Sequence, residues 1–214
     1  MVGEIGDALC TPPKIGVLAL QGAFAKHVDL LERIGVQTLE IRYPPQLFYC
    51  DGLILPGGES TTMIRHILEM GFAEPLKKFA QHTPLFGTCA GMILMANPKI
   101  LGLLDIAVER NAYGRQSDSF SCNLDLPFSS SPLQAIFIRA PRISSIHSSN
   151  VQILASHAGV PVCVRQGFHL ATSFHPELTN DPVIHQYFIQ LCIQEKQSAQ
   201  QPSLTIPTKS FQTI

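Results

Sequence analysis

Two short stretches carry the residue types of covalent catalysis: Cys89 in Gly87-Thr88-Cys89-Ala90-Gly91, and His175 with Glu177 in His175-Pro176-Glu177. A thiol can attack a carbonyl carbon, an imidazole can move the proton, and a carboxylate can orient the imidazole. Before Cys89 the apolar pair Leu85-Phe86 runs into Gly87, and an apolar, helix-like segment (92–96) follows Gly91. This is the layout of a nucleophile elbow, where a strand turns sharply into a helix with the reactive residue at the apex. The glycines suit it because side chains beside a strained apex would block close approach. A cysteine there meets exposed N–H groups and the positive end of the helix dipole, which favour an anion. On the elbow alone Cys89 is equally well read as a small buried hydrophobe.

A nucleophile of this kind needs a base, and the chain has eight histidines. His27, His66 and His82 fall on predicted helices or loops, where a solvated role is expected. His147, His157 and His169 lie in polar surroundings with no adjacent carboxylate, and His185 sits on the last helix, packed or facing solvent. His175 differs, because it ends a predicted strand (170–174) and precedes proline. Proline disfavours the α region for the residue before it, so His-Pro-Glu should be extended, with residues i and i+2 on one side. Glu177 can then hold the ring tautomer and leave the other ring nitrogen for Cys89. For His-x-Glu alone, a strand-end histidine beside a solvated glutamate is a fair alternative; the cysteine elbow weighs against it.

The elements that must position these groups follow from patterning. At 214 residues the chain can build one substantial core, and its composition is 45% hydrophobic without Trp. Only 14% is charged, which suits a well-covered sheet and some surface kept for a partner. Net charge is −1, so no electrostatic footprint for nucleic acid or an anionic membrane exists. The six cysteines, at 10, 50, 89, 122, 163 and 192, form no C-x-x-C pair and no cluster with histidine, so neither a disulfide framework nor a zinc site is expected. The first residues lack a basic, then apolar, signal-like pattern, and no apolar run approaches a membrane span. A cytoplasmic protein with reduced thiols is the expectation.

Residues 1–13 read as a flexible leader, 14–196 as the globular domain, and 197–214 as a disordered, Gln/Ser/Pro-rich tail. Apolar runs at 15–20, 37–41, 53–55 and 85–86 alternate with helical spacing over 24–34, 61–70, 73–82 and 92–96, which predicts a parallel sheet covered on both sides. Ser60 is expected to cap the 61–70 helix. The glycine turns 56–60 and 87–91 both follow strands and can face one crevice at the strand carboxyl ends. Further on, 120–126, 133–139, 151–154, 160–165 and 169–174 read as strands and the Ser-rich 144–150 as a surface loop. Asp181 then caps a last helix that frays from about Glu195.

Together the elbow and His-Pro-Glu resemble the Cys-His-Glu triad of class I, triad-type glutamine amidotransferases. Leu20-Gln21-Gly22-Ala23, the stretch 53–63 with Pro56-Gly57-Gly58-Glu59-Ser60, Val108-Glu109-Arg110-Asn111, Gly114-Arg115-Gln116 and Phe137-Ile138-Arg139-Ala140-Pro141 narrow the resemblance to the glutaminase subunits of pyridoxal 5′-phosphate synthases. The resemblance runs from about Ile15 to Gln194. It implies a single-domain α/β fold of flavodoxin-like type, its mixed, mostly parallel sheet flanked by helices on both faces. It also implies hydrolysis of L-glutamine to glutamate and ammonia through a Cys89 thioester, without metal or cofactor. The ammonia would pass to a (β/α)8-barrel synthase subunit in a large hetero-oligomer, which builds the vitamin B6 ring from a pentose phosphate and a triose phosphate.

By the same resemblance Cys89, His175 and Glu177 are catalytic. Gly57, Gly58 and Ala90 supply backbone N–H groups to an oxyanion hole, and Gly58, Glu59, Ser60, Arg110, Ile138 and Arg139 contact glutamine. For Arg110 or Arg139 taken singly, a surface ion pair is the competing reading. The segment 97–100 is shorter than the family pattern, and the leader, the tail and the Ser-rich loop depart from it. Two other functions fit parts of the sequence: a cysteine peptidase or related thiol hydrolase on the same scaffold, and a non-catalytic binding module.

Overall fold

Continuous apolar runs become strands buried on both faces when helices cover the two sides of a parallel sheet. The computed structural model, which describes residues 12–110, 112 and 119–200, is built this way. Strands β1 (Ile15–Leu18), β2 (Thr38–Ile41), β3 (Gly52–Leu55) and β4 (Leu85–Thr88) are followed by helices α1 (Phe24–Arg33), α2 (Ser60–Glu69), α3 (Ala73–Ala80) and α4 (Ala90–Ala96), with a 3-10 turn at Pro44–Tyr49 between β2 and β3. Then come β5 (Ile106–Glu109), β6 (Phe120–Leu124), β7 (Leu133–Phe137), β8 (Arg142–Ile146), β9 (Val151–His157), β10 (Val160–Gln166), β11 (His169–Thr172) and α5 (Val183–Gln200).

The main sheet has the order β2-β1-β3-β4-β11-β10-β9. From β2 to β11 neighbours are parallel, and β10 is antiparallel to both β11 and β9. The mixed, mostly parallel α/β architecture expected from the sequence is therefore present. Side chains leave β3 alternately to two cores. Leu53 and Leu55 pack with Met63 and Ile67 of α2, Leu76 of α3 and Leu94 of α4. Ile54 packs on the opposite side with Leu31 of α1 and Phe188 and Leu191 of α5. Because the chain passes from β1 outward to β2 and returns to β3 on the other side, strand order reverses between β1 and β3. The crevice outside the carboxyl ends there is where such sheets hold ligands. The ends of β1, β3, β4 and β11 all face it.

Several elements differ from the sequence expectation. Ser144 and Ser145, expected in a loop, belong to β8, which pairs antiparallel with β5 in a ribbon apart from the main sheet. A register shift between Ala107 and Val108 interrupts that ladder, and with it the strict alternation that betrays a strand. Helix α5 continues to Gln200 instead of fraying at Glu195, because Gln, Glu, Lys and Ala are good helix formers as well as polar. The strands expected over 133–139 and 169–174 stop at Phe137 and Thr172. Asp181 accepts a hydrogen bond from the Val183 N–H at the start of α5, as expected of a cap. Residues 1–11 of the expected leader, 201–214 of the expected tail, and Asn111 and Gly114-Arg115-Gln116 lie outside the described residues. Among the described residues no helix is long and apolar enough to cross a membrane.

Burial of neutral histidines gives the fold a pH dependence. His169, between Leu85 and Phe168, accepts a hydrogen bond from the Leu85 N–H, and burial lowers its pKa to about 4; burial lowers His185, on the inner face of α5, to about 3. Below their ordinary value of 6.5 the unfolded chain takes up protons that the folded chain refuses. Their contribution is therefore complete above pH 6.5 and is lost as pH falls toward 4 and 3. Thermal unfolding should show Tm dropping steadily from about pH 6.5 to about pH 4.5, a slope that His169→Gln makes shallower. A flat Tm over that window would contradict the burial of these rings as neutral groups.

Candidate active site

Cys89 is the one residue between β4 and α4, and its backbone has φ 48° and ψ −101°. A non-glycine residue takes such a conformation only where its surroundings enforce it. Here the Cys89 N–H donates to the Thr172 carbonyl of β11 at 2.8 Å, which fixes the apex to the next strand. α4 can start at once because Gly91 lets it lie against β3: a Cβ on Gly91 would run into the carbonyl group of Leu55. The elbow inferred from the glycine spacing is thus present, with the thiol almost buried at 7% exposure.

His175 arrives from β11, its N–H donating to the Ile136 carbonyl at 2.9 Å. Its Nδ1 lies 2.7 Å from Glu177 Oε1, and its ring lines the same cleft as Cys89, close enough for the cysteine to raise the pKa of the ring. The pairing of His175 and Glu177 matches the expectation, but the backbone that produces it does not. Residues Pro176–Leu178 form a 3-10 turn, not an extended segment. Proline is comfortable at the first position of such a turn, since its φ is preset and no N–H is needed there. The turn folds the Glu177 carboxylate back under the ring. Burial pulls the His175 pKa down, but hydrogen bonds and charge from Cys89 and Glu177 outweigh it, so the ring holds a proton above the usual histidine range. Burial would push the Glu177 carboxyl up, and His27 and His175 bring it below the usual carboxylate range.

A cleft of about 260 Å³ opens in front of Cys89. Gly57, Gly58, Glu59, Ser60, Ala90, Arg110, Ile138, Arg139 and His175 line it, so every site residue expected from the sequence is brought together there except Glu177, which is buried behind the ring. Gly57 has no room for a side chain, because a Cβ would occupy the space of the His175 ring. The glycine turn is braced from the turn between β1 and α1: Ala23 N–H donates to Gly57 O at 2.9 Å, and Glu59 N–H to Gln21 Oε1 at 3.0 Å. As the first residue of α4, Ala90 has an N–H with no carbonyl one turn earlier to accept it.

Ser60 is not the cap of α2. The helix begins at Ser60 itself, Glu59 holds the extended N-cap conformation, and Ser60 lies buried against the cleft. Arg110 both lines the cleft and pairs at its rim, its guanidinium 3.4 Å from Glu59 Oε1 and 3.0 Å from Thr61 Oγ1. Arg139 lies two residues beyond β7 with φ 43°, a left-handed step that turns the Ile138-Arg139 pair into the cleft wall. The described residues include no group of three or more His, Cys, Asp or Glu arranged to hold a metal ion, and their five cysteines are free.

Two histidines, His27 and His169, lie deeper than their sequence surroundings suggest. His27, expected on the surface, is completely buried behind Glu177, with Thr88 and His185 beside it. The signal was in the spacing: His27 lies next to Val28 and four residues before Leu31, on the inward face of α1. His185 packs, one of the two outcomes expected for it, and His169 is buried where polar surroundings were expected.

Comparison with known proteins bears on the same region. Residues 17–194 match the model of the SNO glutamine amidotransferase family. The chain is 50% identical over 186 residues to pyridoxal 5′-phosphate synthase subunit PdxT of Thermotoga neapolitana, covering 83% of this chain and 98% of that protein. It is 48% identical over 190 residues to the protein of the same name from Bacillus cytotoxicus, covering 86% and 96%. A crystal structure of a glutamine amidotransferase superposes with a TM-score of 0.77 at 41% identity, over 83% of this chain and 98% of that one. The chain belongs to the SNO glutamine amidotransferase family.

Proposed function

We propose that this chain is the glutaminase of a pyridoxal 5′-phosphate synthase. It hydrolyses L-glutamine and hands the ammonia to a synthase subunit, a (β/α)8 barrel with which it forms a large hetero-oligomer. The observation that carries the reading is the His175 ring, held at Nδ1 by Glu177 and facing Cys89 in a cleft that also presents two guanidinium groups. Family membership and the names of the relatives point the same way.

In this reading Cys89 Sγ attacks the side-chain amide carbon of glutamine while the oxyanion is met by N–H groups of Ala90 and the Gly57-Gly58 turn, preorganised donors of the kind that lower barriers most. His175, kept protonated by Glu177, gives its proton to the departing nitrogen, and ammonia leaves a γ-glutamyl thioester on Cys89. The ring, now able to accept, takes a proton from water, and the resulting attack expels Cys89 Sγ, releasing glutamate and leaving the sulfur and the protonated ring as they began. Arg110 and Arg139 suit the α-carboxylate, which a planar guanidinium can bind with two hydrogen bonds, and Glu59 suits the α-ammonium. Gly58, Ser60 and Ile138 complete the walls of the glutamine site. A peptidase would have to admit a polypeptide into this small, charged cleft, which disfavours that alternative.

The test is ammonia release from L-glutamine with and without a candidate (β/α)8-barrel synthase. Turnover is expected to be low for the chain alone and to rise at least about tenfold on adding the synthase, because an idle glutaminase wastes substrate and partner binding can complete a catalytic geometry. No ammonia under either condition, or cleavage of peptides at a comparable rate, would overturn the proposal.

A further inference from the structure

Behind the proposed triad lies a second layer of buried polar side chains. Glu177 has two carboxylate oxygens. Oε1 accepts from His175 Nδ1 at 2.7 Å, while Oε2, fully buried, makes no hydrogen bond to the described residues. Facing Oε2 at 3.5 Å is Nε2 of His27, a fully buried ring that also touches Thr88 Oγ1 at 3.3 Å through the same nitrogen. The other nitrogen of His27, Nδ1, lies 2.9 Å from His185 Nε2. Both rings stand edge-on to Phe86, with centroid distances of 6.3 Å for His27 and 5.7 Å for His185, so packing as well as hydrogen bonding holds them.

The tautomers follow from what each atom can accept. An ionised carboxylate oxygen is acceptor-only, so a bare nitrogen facing Oε2 would set two lone pairs against each other in a buried site. The His27 proton therefore belongs on Nε2. That leaves Nδ1 bare, so the 2.9 Å contact requires His185 to donate from its own Nε2. His185 Nδ1 is then bare too, in accord with its having no partner among the described residues. Burial keeps both rings neutral, lowering the pKa of each. What reaches Oε2 is an oriented N–H dipole, in a chain polarised in one direction from His185 through His27 to Glu177.

We infer that His27 is a positioning residue of this site: with its tautomer set by His185, it turns Nε2–H toward the space between Thr88 Oγ1 and Glu177 Oε2, 3.5 Å from the latter, and so aims Oε1 at His175. The inference rests on the proposed triad. Without this donor the carboxylate can swing between its neighbours, and its ionised form loses a stabilising partner, which raises its pKa. His175 then loses its counter-charge at a higher pH than before, and the thiol loses its imidazolium partner with it.

The test compares His27→Gln, whose amide nitrogen can reach the place of Nε2, with His27→Leu, which fills space without donating. Two readouts are taken on the full chain: alkylation of Cys89 by iodoacetamide across pH, and kcat and KM for glutamine with the synthase present. For His27→Leu the acid limb of the alkylation profile is expected to move to higher pH, and kcat to fall about thirtyfold with KM within about threefold, as for a misaligned catalytic group. His27→Gln should recover most of the rate and the position of the limb. If His27→Leu does not fold, His27→Asn, which keeps a polar group near Nδ1 but withdraws it from Glu177, takes its place. An unmoved acid limb, or equal losses in the Gln and Leu variants at equal Tm, would overturn the inference. Wild-type chain that releases no ammonia from glutamine would instead sink the proposed function, while the alkylation profiles would still decide the role of His27.

Discussion

Cys89→Ala is expected to lower glutaminase turnover by about four orders of magnitude or more, the scale seen when a covalent nucleophile is removed. No other described thiol can replace it, because Cys89 is the one described cysteine that lines the cleft: Cys163 and Cys192 are buried, burial pushes the thiols of Cys50 and Cys163 up to about 12, and it raises that of Cys122 as well. Tm should hardly move, because only one atom is lost from a side chain whose backbone strain is set by the elbow and persists in alanine. The variant should also still bind glutamine, since Arg110, Arg139 and the glycine turn are untouched. Ammonia release and thermal unfolding measured on the same preparation check both halves. Turnover within about a hundredfold of wild type would mean that thioester formation on Cys89 is not the route.

Gly91→Ala is expected to have the largest effect on stability. The added methyl group would meet the backbone carbonyl of Leu55, in a central strand bonded on both sides, and neither α4 nor β3 can yield without disturbing the sheet. Overpacking against rigid backbone costs about 1–3 kcal/mol and occasionally more, so a loss of about 3 kcal/mol is expected. For comparison, a methyl group at Gly35 or Gly71 finds open space, although the positive φ at both makes them strained sites for alanine as well. Urea unfolding of Gly91→Ala should show a lowered midpoint with an unchanged slope, and a midpoint equal to wild type would mean that α4 does not rest on β3 as described.

Much of the fold was legible because its central strands are buried on both faces. Runs such as Leu53-Ile54-Leu55 and Leu85-Phe86 need no alternation to be recognised when glycine turns and helical spacing follow them. The peripheral ribbon was harder, since half of β8 faces solvent and its ladder carries a bulge, so Ser144 and Ser145 read as loop. In the site, Cys89, His175 and Glu177 could be paired because local geometry, a glycine elbow and an X-Pro step, marks each stretch. The backbone at Pro176 was nevertheless misjudged: proline forbids helix before itself but can begin a turn. His27 escaped because its partner carboxylate lies far away in sequence and on another element. Only tertiary packing brings α1 against the Pro176–Leu178 turn.

β11 enters the main sheet last of its strands in chain order, yet it takes the place between β4 and β10. A chain that has built β1 to β4 and α4 already has Cys89 at a helix start, but neither His175 nor the Thr172 carbonyl that pins the apex. Insertion of this strand, a non-local and therefore slow event in folding, brings base, carboxylate and apex clamp together. The thiol thus stays without its base throughout synthesis of the first half of the domain. Its reactivity arises only when the sheet is complete.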